Sequence, residues 1–402
     1  MNAPYSLEPA APAEAGFCPQ GLKRLLGVLQ SEIDRQRVPG AVALIARRGR
    51  LALFESLGRQ SPQAESQSPQ AETTMAKDSI FRIYSMTKPI VSAAVLMLME
   101  EGKLLLSDPV AKHLSEFAGQ KVAVLRDGRL ALEPAQREAT VQDLLRHTAG
   151  LTYEFLGDSA VQQQYSQINI ASRQRSNAEF ARELAAIPLA YQPGSVWDYS
   201  RATDVLGVLI EALSGQTLGA FLQQRILGPL GMKDTAFSVP PEQQHRIAEA
   251  FDRDPDSGAH VKLLEVRQSP RFESGGGGLV STAMDYARFL QLMLGGGTID
   301  GVRLLGRKTV ELMTADHLGD TPRVCDLLSP GHGFGLGYAV RTHAGLAGVP
   351  GSVGLYYWGG IAGTTFFVDP KEELFALMMI QAPGQRDYFR PLFRDLVYAA
   401  LD

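Results

Sequence analysis

The chain is poor in cysteine: Cys18 and Cys325 are its only two, and they lie far apart. That excludes a disulfide framework and a Cys-x-x-Cys metal site, and it fits a reducing compartment. Long apolar runs are also missing. The longest covers roughly residues 90–99, about half of what a bilayer-crossing helix needs. Neither sign of charge is in excess, with 39 basic and 43 acidic residues and a net charge of −4. No net field therefore gathers nucleic acid or an anionic membrane. The opening residues, MNAPYSLEPAAPAEAGF, show no basic start followed by an apolar stretch. No secretory signal is expected, and a cytoplasmic location is. No Gly-x-Ser-x-Gly, His-Glu-x-x-His or clustered His/Cys set occurs, so neither an α/β-hydrolase elbow nor a metal site is expected. Gly275 to Gly278 lack the spacing of a phosphate loop. No cofactor is called for.

What is present is a large apolar complement, 45% of 402 residues, and a clear division along the chain. Leu22, Leu25, Leu26 and Leu29 recur at helical spacing. Pro39-Gly40 ends that helix, and AVALIARRGRLALFESLG reads as a hairpin around Arg-Arg-Gly-Arg. SPQAE then occurs twice, at 61–65 and 68–72, a polar stretch expected to form a surface loop. From about 105 to 270 the pattern is helix and loop, with Thr140 as a helix cap and a capping box in Ser176 and Glu179. GFGLGYAV, GLYYWGG, GTTFFVDP and ELFALMMIQA are four strand-like runs, the last two joined at Asp369-Pro370-Lys371-Glu372. DYFRPLFRDLVYAAL closes the chain as a helix. The architecture expected is an α/β (α+β) one. Residues 1–104 and 271–402 build an antiparallel sheet flanked by terminal helices, and residues 105–270 form a mostly helical insert. A site belongs in the crevice between them.

Three segments could carry chemistry. FRIYSMTKPI places Ser85 and Lys88 three residues apart at the start of an apolar helix, so both side chains share one face. A lysine buried there loses proton affinity, which suits an amine base beside a hydroxyl. The bland reading is Ser85 as a helix cap and Lys88 as a solvated residue. YQPGSVWDYSRATDVLG offers Tyr199, a phenol able to act as base and then acid, or else a core tyrosine. LYYWGGIAGTT offers Gly359 and Gly360, which permit close approach of a ligand, and the Ile361 N–H as an oxyanion donor.

Taken in order, Ser85-Met86-Thr87-Lys88, Tyr199-Ser200 and Trp358-Gly359-Gly360 resemble the serine β-lactamase and penicillin-binding-protein superfamily. More closely they resemble its family VIII carboxylesterases, which have the class C β-lactamase fold. LLRHTAGL, ILGPLGMKDTAF, ESGGGGLVSTAMDYARFL and GFGLGYAV extend the likeness over nearly the whole chain. Two departures stand out. Tyr199-Ser200-Arg201 replaces Tyr-x-Asn, and Trp358-Gly359-Gly360 replaces Lys-Thr-Gly, so the cation that meets a substrate carboxylate is missing. Arg201 is the candidate replacement.

The resemblance implies a β-lactamase/transpeptidase-like fold and hydrolysis of short-to-medium acyl esters through an acyl-enzyme, the partner being a small-molecule ester. Ser85 is the implied nucleophile, Lys88 and Tyr199 share the proton, and the N–H groups of Ser85 and Ile361 hold the oxyanion. Trp358, Tyr356, Gly359, Gly360 and Arg201 are the implied substrate contacts. Neutral esters are expected to react far better than anionic β-lactams. The alternatives are a β-lactamase or D-alanyl carboxypeptidase, an acyltransferase to a small alcohol, and a ligand-binding domain that has lost turnover.

Overall fold

The computed structural model describes residues 7–62, 73–126 and 129–402. From residue 63 on, the duplicated SPQAE stretch lies outside the described residues. The hairpin at Arg-Arg-Gly-Arg is present. Gly40–Arg47 and Arg50–Ser61 pair antiparallel across Arg48 and Gly49, whose φ values of 52° and 73° suit the right-handed twist of a two-residue turn. Leu374–Met379 adds to the other side of Gly40–Arg47, bringing the chain's two ends into one sheet. Thr365–Asp369, Tyr356–Gly359, Ala339–Arg341 and His332–Phe334 follow in spatial order. These pairs are antiparallel. The short edge strand Glu8–Pro9 runs parallel to Arg50–Ser61, so the sheet is mixed.

Alternation along the strands divides two apolar layers. Val42, Leu44 and Ala46 point into the larger core, with Phe375, Leu377 and Met379 beside them. Ala41, Ala43 and Ile45 point the other way, with Ala376 and Met378. The second face is covered by the terminal helices Pro19–Asp34 and Arg386–Tyr398, whose Leu22, Leu25, Phe389 and Phe393 are buried there. The first face receives the helices Thr87–Glu100 and Ala283–Leu294 and, beyond them, the insert. No single helix is long and apolar enough to cross a membrane among the described residues.

Within residues 105–270 the expected helices appear, including Ala202–Ser214 and complete capping boxes at Thr140/Asp143 and Ser176/Glu179. The insert also holds a hairpin, Lys121–Arg126 with Arg129–Pro134, which a helix-and-loop reading missed. GFGLGYAV is not one strand. Gly337 at φ 104° reverses the chain between His332–Phe334 and Ala339–Arg341. A Cβ at Gly337 would meet Ser92 Oγ at 2.7 Å, so the reversal packs directly on the long buried helix.

Candidate active site

Ser85 lies on a single tight turn, Tyr84–Met86, that feeds Thr87–Glu100. Its side chain makes no helix cap, and Lys88 is fully buried, so both bland readings fail. Tyr84, directly before Ser85, has φ 42°, a left-handed backbone that costs a non-glycine residue about 1–3 kcal/mol. The Tyr84 hydroxyl accepts the Leu264 N–H at 2.7 Å, an anchor that helps hold this strained turn.

Lys88 Nζ is 3.2 Å from Ser85 Oγ, 3.0 Å from the Tyr153 hydroxyl and 2.6 Å from the Gly276 carbonyl. Burial removes hydration from its charged form, and Arg201 nearby opposes it further, while Asp204 pulls the other way; the amine falls to about 7. A neutral amine has two hydrogens and one lone pair. With the hydrogens on Tyr153 and Gly276, the lone pair faces Ser85. The carbonyl is fixed by Asp204, which accepts the Gly276 N–H at 2.9 Å and the Ser274 hydroxyl at 2.5 Å. A Cβ at Gly276 would lie 2.8 Å from that carboxylate. The Gly-rich run thus serves the lysine.

Tyr199 sits just ahead of Ala202–Ser214 and is buried. Its hydroxyl is hydrogen-bonded to the Ser85 side chain and accepts the Trp358 indole N–H at 3.1 Å. Burial raises its pKa well beyond the normal phenol value, against those two bonds. His147, at φ 58°, accepts the Ser200 N–H through Nδ1 at 3.3 Å and lays its ring 4.8 Å from that of Tyr199. Burial and Lys88 keep this imidazole neutral, so it positions the segment.

The third segment lies where expected, but one of its glycines, Gly360, faces the protein. A Cβ at Gly360 would come within 2.5 Å of the Ile83 carbonyl and 2.4 Å of Thr364 Oγ1. Gly360 is therefore what lets the strand end abut the turn carrying Ser85, and it lines neither of the two cavities at Ser85. Ile361, 39% exposed, follows at the rim. Its N–H donates to no acceptor among the described residues.

Two cavities meet at Ser85, Phe155 and Ile361. The smaller, about 250 Å³, is walled by Tyr153, Arg201, Phe272 and Gly276 to Gly278. The larger, about 700 Å³, is walled by Tyr199, Tyr357, Trp358, Gly359 and the last helix. Tyr356 reaches neither. It shares a face with Trp358 but lies a strand pair deeper, its ring 4.9 Å from Tyr338 in the core. Tyr357, on the other face, is the tyrosine that meets the cavity. Arg201 also departs from expectation. It pairs with Glu154 and, at 3.3 Å, with the fully buried Asp204, and it stacks 4.8 Å over Tyr153. Its charge is already neutralised and is not free for a substrate carboxylate. Arg201→Met should therefore destabilise the fold by about 3–5 kcal/mol by stranding two acids, read as a shift in the urea midpoint at pH 7. Unchanged stability with loss of activity on anionic substrates alone would restore Arg201 as a substrate contact. Tyr153, Asp204 and Gly276 were missed from sequence. The one signal for them was position, Tyr153 just beyond LLRHTAGL and Asp204 three residues after Arg201.

A serine, a depressed lysine and a buried tyrosine joined by hydrogen bonds form an arrangement that can carry acyl transfer. The chain matches the Beta-lactamase family model over residues 25–399 and belongs to that family. Protein Rv1367c of Mycobacterium tuberculosis is 36% identical over 361 residues, 87% of each chain. Esterase EstB of Burkholderia gladioli is 32% identical over 400 residues, 94% of this chain and 95% of its own. Among solved structures, EstCE1, described as a hydrolase with promiscuous acyltransferase activity, superposes with a TM-score of 0.76 at 29% identity. It covers 94% of this chain and 99% of its own. Family and fold agree with the resemblance drawn from the three motifs.

Proposed function

We propose that the chain is a serine esterase acting on short-to-medium acyl esters through an acyl-enzyme on Ser85. The observation that carries this is the neutral-range amine of Lys88 within hydrogen-bond reach of Ser85 Oγ, with Tyr199 on the other side of the same oxygen. The esterase names among the relatives, EstB included, support it. Lys88 is the base. Tyr199, held protonated by burial, cannot start the reaction as a phenolate near neutral pH. Ser85 Oγ attacks the ester carbonyl as its proton passes to Lys88 Nζ, and the N–H groups of Ser85 and Ile361 receive the oxyanion. When the C–O bond breaks, the proton returns through the Tyr199 hydroxyl to the leaving alcohol. Water in the vacated space repeats the sequence and frees Ser85.

Tyr199 lines only the larger cavity, so the alcohol portion lies there and the acyl chain enters the smaller one. Nitrophenyl esters of increasing acyl length, run beside a chromogenic cephalosporin, test this. Rates should be greatest for acetate to butyrate and fall once the chain outgrows the small cavity. The cephalosporin, whose bulky acylamino group must enter that space, should be turned over far more slowly. Equal kcat/KM on the cephalosporin and the butyrate would favour a β-lactamase instead.

A further inference from the structure

The larger cavity has an unusual wall. The last helix turns Arg386, Arg390 and Arg394 toward it at intervals of four residues, which places them on one face. Arg386 lies 3.4 Å from the carboxylate of Asp387. The other two form no ion pair among the described residues, although Asp387 and Asp395 act on Arg390 and Arg394 from a distance. Arg394 is 8% exposed and is held over the rings of Tyr357 and Phe367 at 4.3 and 5.3 Å. Among the described residues it makes no hydrogen bond or ion pair. Arg390 donates to the Gly360 carbonyl at 2.5 Å, has no ion pair, and its Nε is buried without a partner. The remaining ionisable groups on the wall are Asp326, His332, Tyr199 and Tyr357. Burial keeps His332 neutral and both phenols protonated. The wall thus sets three guanidinium groups against two carboxylates, Asp326 and Asp387.

A buried cation left without a counter-charge is costly. Burial has lowered both guanidinium pKa values, Arg390 to about 10, yet both remain charged at neutral pH. We propose that this wall binds a carboxylate carried by the alcohol portion of the ester, through Arg390 and Arg394. The guanidinium fork suits a carboxylate, and Tyr357, Trp358 and Pro391 beside it suit the apolar body of such an alcohol. The acyl cavity differs: no guanidinium there is left without a partner, as Arg394 is. Arg201 is paired there, and Arg173 donates to the Glu265 and Phe237 carbonyls. The proposal rests on the esterase reading and on the alcohol lying next to Tyr199. It also revises the expectation drawn from the missing third-motif lysine: a cation is present, but it comes from the last helix.

The test compares butyrate esters of 4-hydroxybenzoate and 4-hydroxybenzamide, each kcat/KM divided by that ester's hydroxide rate. The carboxylate ester should lead by about tenfold or more at low salt. The lead should shrink with added salt and vanish in Arg394→Gln, while Arg394→Lys keeps part of it. Moving the carboxylate to the acyl chain, as in phenyl hydrogen glutarate against phenyl butyrate, should give no advantage. Calorimetry of 4-hydroxybenzoate against 4-hydroxybenzamide on the Ser85→Ala protein reads the same wall without turnover and needs no arginine variant. Turnover with a ratio of one or below, or an advantage on the acyl side, overturns the subsite. Selective binding of the benzoate with no ester turnover in the parent protein would instead count against the esterase reading.

Discussion

Ser85→Ala should abolish labelling by a serine-reactive phosphonate and lower kcat on nitrophenyl butyrate by ~10⁴ or more, the scale on which removal of a hydrolase nucleophile acts. The fold should survive. The substitution removes one oxygen whose partners are Lys88 and Tyr199. Lys88 keeps its bonds to Tyr153 and Gly276, and Tyr199 keeps the Trp358 N–H. No new unpaired charge is created, because the amine keeps Tyr153 and Gly276 as partners in either protonation state. Thermal unfolding should therefore match that of the parent, which separates loss of chemistry from loss of structure. Mass spectrometry after phosphonate treatment checks the first half, and a melting curve the second. Undiminished ester turnover in a folded Ser85→Ala protein would end the assignment of Ser85.

The three motifs were legible because each is local. Ser85 and Lys88 are joined by helix geometry alone, and Tyr199 and Trp358 are marked by the turns and glycines around them. The sheet was legible for a similar reason, since its strands are short apolar runs bounded by turn residues such as Arg-Arg-Gly-Arg and Asp369-Pro370. What escaped was tertiary. The role of Arg201 depends on Glu154, 47 residues away, and on a carboxylate that sequence leaves unmarked. Gly359 and Gly360 did mark a close approach, but only the fold shows that for Gly360 the approaching group is the Ile83 carbonyl and not a ligand. The alternation of Tyr356 and Trp358 was read correctly, yet depth along the strand decides which of them meets a cavity. The hairpin Lys121–Pro134 was within reach of sequence reasoning. Its Asp-Gly pair between alternating runs is a hairpin signal that the helical flanks obscured.

Lys88 and Tyr199 should behave as one unit. Each is hydrogen-bonded to Ser85, and in the proposed mechanism the proton that leaves Ser85 passes through both before it reaches the departing alcohol. Once either is gone the circuit is open, so losing the second has little left to remove. Lys88→Ala, Tyr199→Phe and the double variant should all fall to nearly the same residual rate, on the order of 10³ or more below the parent. Folding controls matter here, since Lys88→Ala opens a cavity; Lys88→Met fills it and should be just as slow. The pH profile supplies the sign. The lysine pKa is lowered to about 7, and the reactive form is the free amine. The kcat/KM of the parent should therefore rise through about pH 7 and level off above it. Tyr199 keeps its proton throughout that range, because burial pushes its pKa far up, so Tyr199→Phe should lower the whole curve without moving its midpoint. A double variant that loses the sum of two large single effects would show that the two groups act on separate steps. A midpoint that follows the Tyr199 substitution would make the tyrosine, not the lysine, the titrating base.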